Sequence, residues 1–416
     1  MKEIITKFSF GVGDRFAHQA KAQLAAIKHA DDAGVELTPV WNKSYREHQT
    51  ISSEPITARQ QADIAVKDLT WQKPYLVDAD HINLETVDFF MDHCDFFTLD
   101  VADFIGEKVE DVAIDDFVKT NSKYIGELVL PVLNQKLEIN EKLIKNVAEK
   151  YLYAAQQAGR IFRHIASQKA EKPFVIEVSM DETDQPQTPG EMFLILSALS
   201  AEKIPLQTIA PKFSGRFNKG VDYVGDLQKF KQEFEQDLAV LKVAIKEFSL
   251  PQDLKLSVHS GSDKFSIYPI IREAINKFNA GLHLKTAGTT WLEELIGLAE
   301  AGGEGLKIAQ DIYRKSLDNF DELCAPYASV IDIDKNKLPT ADEVSKWDGI
   351  KFSESLRHDQ QNLNYNLHFR QLLHVGYKMA AKMGDTYLKA LEKNEDIITK
   401  NVTENIFERH IRPLFF

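Results

Sequence analysis

The chain has 416 residues, 44% hydrophobic and 27% charged, enough apolar material for a large core and too little bias for disorder. Its net charge of -13 excludes a nucleic-acid backbone or an anionic membrane as the expected partner, since both demand a basic surface. Cys94 and Cys324 are too few for a disulfide framework, residues 1–10 lack the apolar stretch of a secretory leader, and no run reaches membrane-spanning length. A cytoplasmic protein is expected.

In chain order, short β-branched or aromatic runs predict strands at 4–10, 35–40, 75–79, 96–99, 174–178, 206–210, 254–258 and 282–284. Longer segments of helical period separate them. Over 139–165, Leu143, Val147, Tyr151, Ala154, Ala155 and Phe162 share one face. Over 225–248, Leu227, Phe230, Phe234, Leu238, Leu241 and Ile245 recur at helical spacing, and 268–278 and 291–299 fill the last two gaps. Alternating β and α units of this kind predict a (β/α)8 barrel over 1–333. The stretch 106–136 reads as an insertion after the fourth strand. Residues 334–416 fall outside the pattern and predict a helical extension, polar over 334–349 and helical over 364–393, packed on the barrel or on a second copy in a homo-oligomer.

Nucleotide signatures fail. Gly11-Val12-Gly13 lacks the third glycine of a dinucleotide turn, and Gly261-Ser262-Asp263-Lys264 lacks Walker spacing.

In a barrel of this type the chemistry lies where strands end. The third strand ends in Asp78-Ala79-Asp80-His81, the fifth in Glu177-Val178-Ser179 followed by Asp181-Glu182, and the sixth in Lys212-Phe213-Ser214-Gly215-Arg216. The seventh ends in His259-Ser260-Gly261-Ser262-Asp263-Lys264 and the eighth in His283-Leu284-Lys285. A single strand-end histidine is usually a hydrogen-bonded polar residue. Three of them, His81, His259 and His283, on separate strands around one axis suit a catalytic divalent metal with an open position. The remaining histidines read as structural, although His374 lies in a segment able to fold over the barrel mouth.

Asp80, beside His81, is placed either to carry a proton or to orient the imidazole. Glu177 faces inward and must contact metal, lysine or substrate, because a buried unpaired carboxylate is costly. Lys212 and Lys285 would draw an anionic substrate, or else pair with Glu177 or Glu182.

The block from Leu256 to Pro269, with Gly281 to Thr289, Phe8 to Phe16 and Glu177 to Thr183, resembles the tagaturonate epimerases. A looser likeness joins Asp80-His81 and His259-Ser260-Gly261-Ser262 to class II metal-dependent aldolases, with Ser260 departing from the usual glycine. The first resemblance implies interconversion of the ketose uronates tagaturonate and fructuronate with a divalent cation, Zn, Ni, Co, Fe or Mn. It implies His81, His259 and His283 as ligands, with Asp80, Glu177 and Glu182 for proton transfer. Lys212, Arg216, Lys285 and Ser260 would bind substrate. A sugar-acid aldolase and a non-catalytic sugar-acid-binding barrel are the alternatives.

Overall fold

The computed structural model describes residues 4–286 and 288–416. Eight parallel strands close into a barrel: β1 (Phe8–Gly13), β2 (Leu37–Ser44), β3 (Leu76–Ile82), β4 (Phe96–Asp100), β5 (Val175–Ser179), β6 (Thr208–Ala210), β7 (Lys255–His259) and β8 (Leu282–Lys285). Each strand pairs with its sequence neighbours, and β1 pairs with β8 to complete the circle. All eight predicted strands are present. The first runs later than expected because Gly11 and Gly13, poor strand formers in isolation, are held in register by Lys285 on one side and Val40 and Asn42 on the other.

Helices cover the outside. Glu141–Lys169 begins at an Asn140 cap that accepts from the Leu143 N–H, and Leu227–Glu247 begins at an Asp226 cap. The insertion after β4 comprises the helix Asp111–Asn121 and an antiparallel hairpin, Gly126–Leu130 with Gln135–Ile139. Between β3 and β4 only a short 3-10 turn, Val87–Phe89, intervenes.

Beyond the last barrel helix, Thr289–Ala301, the chain continues as helices. Glu395–Glu404 lies across Thr289–Ala301, where Gly297 is required: a Cβ there would meet Ile398 Cγ1 at 2.7 Å. Trp291 Nε1 donates to Leu373 O at 2.7 Å and fastens the helix Leu367–Val375 over the same surface. Among the described residues, no helix is long and apolar enough to cross a membrane.

The barrel interior changes character with height. At the N-terminal end of the strands Ile5, Val40, Leu76, Phe96 and Val175 form an apolar floor. Above it every inward position that matters here is polar: Asp78, Thr98, Glu177, Thr208 and His283, then Asp80, His259 and Lys285. That inversion of an ordinary barrel core has to be satisfied internally, and it sets up the site.

Candidate active site

Lys285 organises the centre of the barrel. Its Nζ lies 2.8 Å from Asp78 Oδ2, 2.7 Å from Asp80 Oδ1 and 3.2 Å from Glu177 Oε1, and it donates to Thr98 Oγ1 at 2.6 Å. To reach β3, β4 and β5 from β8 the side chain passes over Gly11, where a Cβ would meet Lys285 Cγ at 2.9 Å. Three carboxylates and one ammonium leave the cluster net negative. Burial therefore lifts the Asp78 carboxyl to about 7, with Lys285 opposing the rise. Burial also disfavours ionised Asp80, but Lys285 and then His81 overcome it and hold the carboxyl at about 2. Asp80 stays a carboxylate at neutral pH.

Glu177 is fully buried and fully occupied. It accepts from Thr98 Oγ1 at 3.3 Å, from Thr208 Oγ1 at 2.8 Å and from His259 Nε2 at 2.7 Å. With Glu177 taking the Nε2 proton, the other ring nitrogen of His259 offers a lone pair only when the ring is deprotonated. That Nδ1 is buried, lies 3.2 Å from Asp181 Oδ2 and has no hydrogen-bond partner. Burial opposes the charged ring, yet Asp181 and Glu177 raise His259 to about 9, and Asp181 is held well below the usual carboxylate range by the same ring.

His81 repeats the arrangement by a different route. Asp80 already points inward, so the alternation of a regular strand would send His81 outward. Instead the β3–β4 register shifts between Ala79 and Ile82, and His81 adopts φ 52°. Such a bulge re-aims a side chain, and a left-handed histidine beside a cavity is strain held in place by its surroundings. Nδ1 donates to Asp100 Oδ2 at 3.0 Å and Nε2 faces Asp80 Oδ1 at 3.8 Å; burial opposes the charged ring, yet Asp80 and Asp100 hold its pKa well above the ordinary value. His81 and His259 thus face each other with ring centroids 5.2 Å apart, and together with Asp181 they bring three ligand atoms within 4.8 Å of one another.

Two imidazoles and a carboxylate, each ring held by a second carboxylate, could hold a first-row divalent cation. The orphaned His259 Nδ1 fits that use. A third imidazole does not join this group. His283 sits two residues below Lys285 on the same inward face, packs tilted against Phe96 with ring centroids 5.1 Å apart and shares a 2.8 Å hydrogen bond between its Nδ1 and Ser9 Oγ. Burial keeps it neutral, with its pKa pushed down to about 3, and its Nε2 has no partner among the described residues.

The cluster opens into a cavity of about 530 Å³, large enough for a sugar acid. Asp80, His81, Asp181, Glu182, Lys212, His259 and Lys285 line it, whereas Glu177, His283, Ser260 and Arg216 do not. Ser260 is buried and donates through Oγ to Lys285 O at 2.7 Å, tying β7 to β8. Arg216 points outward, 3.3 Å from Asp332 Oδ2. A smaller cavity of about 320 Å³ opens by Lys7, Asn279 and Gly281, at the strand N-termini, away from the cluster.

Asp100, Asn42 and Lys219 are among the lining residues that the sequence reading leaves without a role. Asp100 ends β4, and its place at a strand end is a signal the sequence carries. Asn42 on β2 is 2% exposed with neither amide atom partnered, a signature visible only in three dimensions. Lys219 lies in the loop after β6, beyond any strand end.

Residues 2–414 match the family described as tagaturonate epimerase. A tagaturonate/fructuronate epimerase of Thermotoga maritima is 29% identical over 428 residues, covering 97% of this chain and 80% of that protein. Crystal structures of a fructuronate-tagaturonate epimerase from Cohnella laeviribosi share the fold. The form with one glycerol has TM-score 0.79 at 23% identity, covering 99% of this chain and 82% of that one. The form with two glycerols has TM-score 0.80 at 23% identity, covering 98% and 81%. With nearly its whole length matched, the chain belongs to the tagaturonate epimerase family, a family of isomerases.

Proposed function

We propose that this protein interconverts tagaturonate and fructuronate by cleaving and re-forming the bond next to the inverted carbon. The observation that carries the reading is the convergence of His81, Asp181, His259 and the ionised Asp80 on one cavity, in a chain of this family. The two ketose uronates differ at a carbinol carbon β to the ketone, whose C–H the carbonyl does not acidify. Direct deprotonation there is unfavourable. Removing the proton of its hydroxyl instead lets the α–β carbon bond break, leaving an aldehyde and an enediolate. The aldehyde turns and accepts the carbanion on its other face, and the new alkoxide takes a proton back.

His81, Asp181 and His259 would hold a divalent cation, which when bound supplies Lewis acidity for the ketone and neighbouring hydroxyl oxygens. The protein's own groups do the rest. Asp80, kept ionised by Lys285, takes the hydroxyl proton. Glu177 is spent on Lys285 and His259, so Glu182, which lines the cavity, serves the opposite face. Lys212 faces the same cavity and attracts the anion.

A second seating of the cation is supported by the orphaned Nε2 of His283. One layer deeper, His283, His259 and Glu177 would be its ligands, and Lys285 would have to leave Glu177.

The test is to incubate metal-replete protein with tagaturonate in D2O and follow it by NMR. Fructuronate carrying no deuterium at the inverted carbon is expected. Accumulating three-carbon fragments would favour the aldolase alternative, and deuterium at that carbon would rule out carbon–carbon cleavage.

A further inference from the structure

The cations around the cavity are unequal in what they still have to give. Lys285 is surrounded by Asp78, Asp80 and Glu177, and Arg15 lies 3.0 Å from Glu47 and donates to His374 O. Lys212, Arg46 and Lys219 also line the cavity, and among the described residues none of their charged groups has an ion pair or a hydrogen bond; Lys219 is the one whose ammonium is set beside Gly261, close to the cluster. Charges of both signs reach it, Glu182 and Glu47 against Arg46 and Arg15, and burial lowers its pKa, so it is an incompletely compensated ammonium.

The backbone that carries Lys219 is fixed on every side. Its own N–H donates to Val330 O at 2.7 Å. The Gly220 N–H donates to Ser262 Oγ at 2.9 Å, and Gly220 O accepts from Arg370 Nε at 2.6 Å. Lys264, fully buried, spends its ammonium on Asn218 O at 3.0 Å and Val221 O at 2.8 Å. Asp263 in turn holds Arg370 at 2.6 Å. The Ser262-Asp263-Lys264 run, which no step of the reaction uses, is therefore a frame for the loop that presents Lys219. The ammonium ends beside Gly261: a Cβ there would lie 3.9 Å from Nζ. Gly261 is two residues past His259, a span of roughly 7 Å, within reach of a six-carbon chain anchored at the cluster.

We infer that Lys219 is the residue that binds the substrate's carboxylate and so selects an acidic ketose over a neutral one of the same length. This rests on the epimerase reading above. Lys219→Met, Lys219→Arg and Lys212→Met proteins, each with an unchanged unfolding midpoint as the folding control, are titrated calorimetrically with tagaturonate and with D-tagatose. Lys219→Met should weaken tagaturonate binding roughly 10- to 100-fold, the worth of a charge-assisted hydrogen bond, and leave D-tagatose affinity unchanged. Lys219→Arg should retain most of the affinity, and Lys212→Met should lose far less than Lys219→Met. Unchanged tagaturonate binding in Lys219→Met, or an equal loss for both sugars, would overturn the assignment. Wild-type protein that binds tagaturonate yet forms no fructuronate would defeat the epimerase reading alone, because the binding comparison still decides the role of Lys219.

Discussion

Two clusters in this protein, one partly and one fully buried, are built on aspartates, histidines and a cation. One is the barrel-mouth group of Asp181, His81, His259 and Lys285. The other joins barrel to extension: Asp263 accepts from Arg370 Nη2 at 2.6 Å and lies 3.1 Å from both His358 Nδ1 and His410 Nε2, while His410 Nδ1 meets Tyr268 Oη at 2.6 Å. The difference lies in what is left over. Around Asp263 the carboxylate oxygens and both nitrogens of His410 are taken, so the cluster is closed and holds the fold together. At the barrel mouth one nitrogen of each histidine is fixed by a carboxylate and the other is left facing the cavity. Residue identity does not make a site. Unspent valence aimed into a cavity does.

That contrast can be broken by substitution, and the largest effect should come from the open cluster. His259→Ala should abolish turnover, with a loss of a thousandfold or more on the order expected when a catalytic metal site is dismantled, read as kcat with tagaturonate. The closed cluster should answer in stability instead. Asp263→Asn leaves Arg370 buried without its counter-charge and should cost about 3–5 kcal/mol, measured by denaturant unfolding, while bound metal per folded protein is unchanged. Between these, Asp100→Ala frees the His81 ring and should weaken metal affinity about 10- to 100-fold with little change in unfolding midpoint.

The smallest effect concerns Glu293, buried beside the closed cluster, with Oε1 accepting from Asn405 and Oε2 without a hydrogen bond, 4.0 Å from Arg357 Nη1. Burial raises its folded pKa to about 7, with Arg357 opposing. A raised folded pKa contributes stability below the unfolded value, about 4.5, that is lost as pH climbs through 7. Glu293→Gln should flatten the stability profile between those two pH values, as followed by thermal unfolding. An unchanged profile would show that Glu293 is not the group responsible.

The sequence made the barrel legible because its signals are local. Each strand is a short β-branched or aromatic run between helical periods, and the hydrophobic face from Leu143 to Phe162 marks the helix Glu141–Lys169 on its own. His81, His259 and Asp80 were legible for the same reason, as polar residues at strand ends. What escaped depends on three dimensions. A two-residue alternation cannot foresee that a bulge turns His81 toward the cavity, nor that His283, on the same face as Lys285, is one layer too deep to meet it. Lys285 pairs with Glu177, the alternative the sequence offers to a substrate anchor, but that Asp78 and Asp80 of β3 would claim it as well is not visible there. Lys219 carries no local mark at all. Its role depends on a frame assembled from Ser262, Lys264 and the distant Arg370.

The central claim is that Asp181, rather than His283, completes the metal site with His81 and His259. Elemental analysis of His81→Ala, Asp181→Ala, His259→Ala and His283→Ala proteins, each purified folded and dialysed against trace metal, tests it most directly. The account predicts that bound metal falls to background in the first three and stays near one equivalent in His283→Ala. Metal retained by Asp181→Ala and lost from His283→Ala would contradict it and move the cation to the deeper seat.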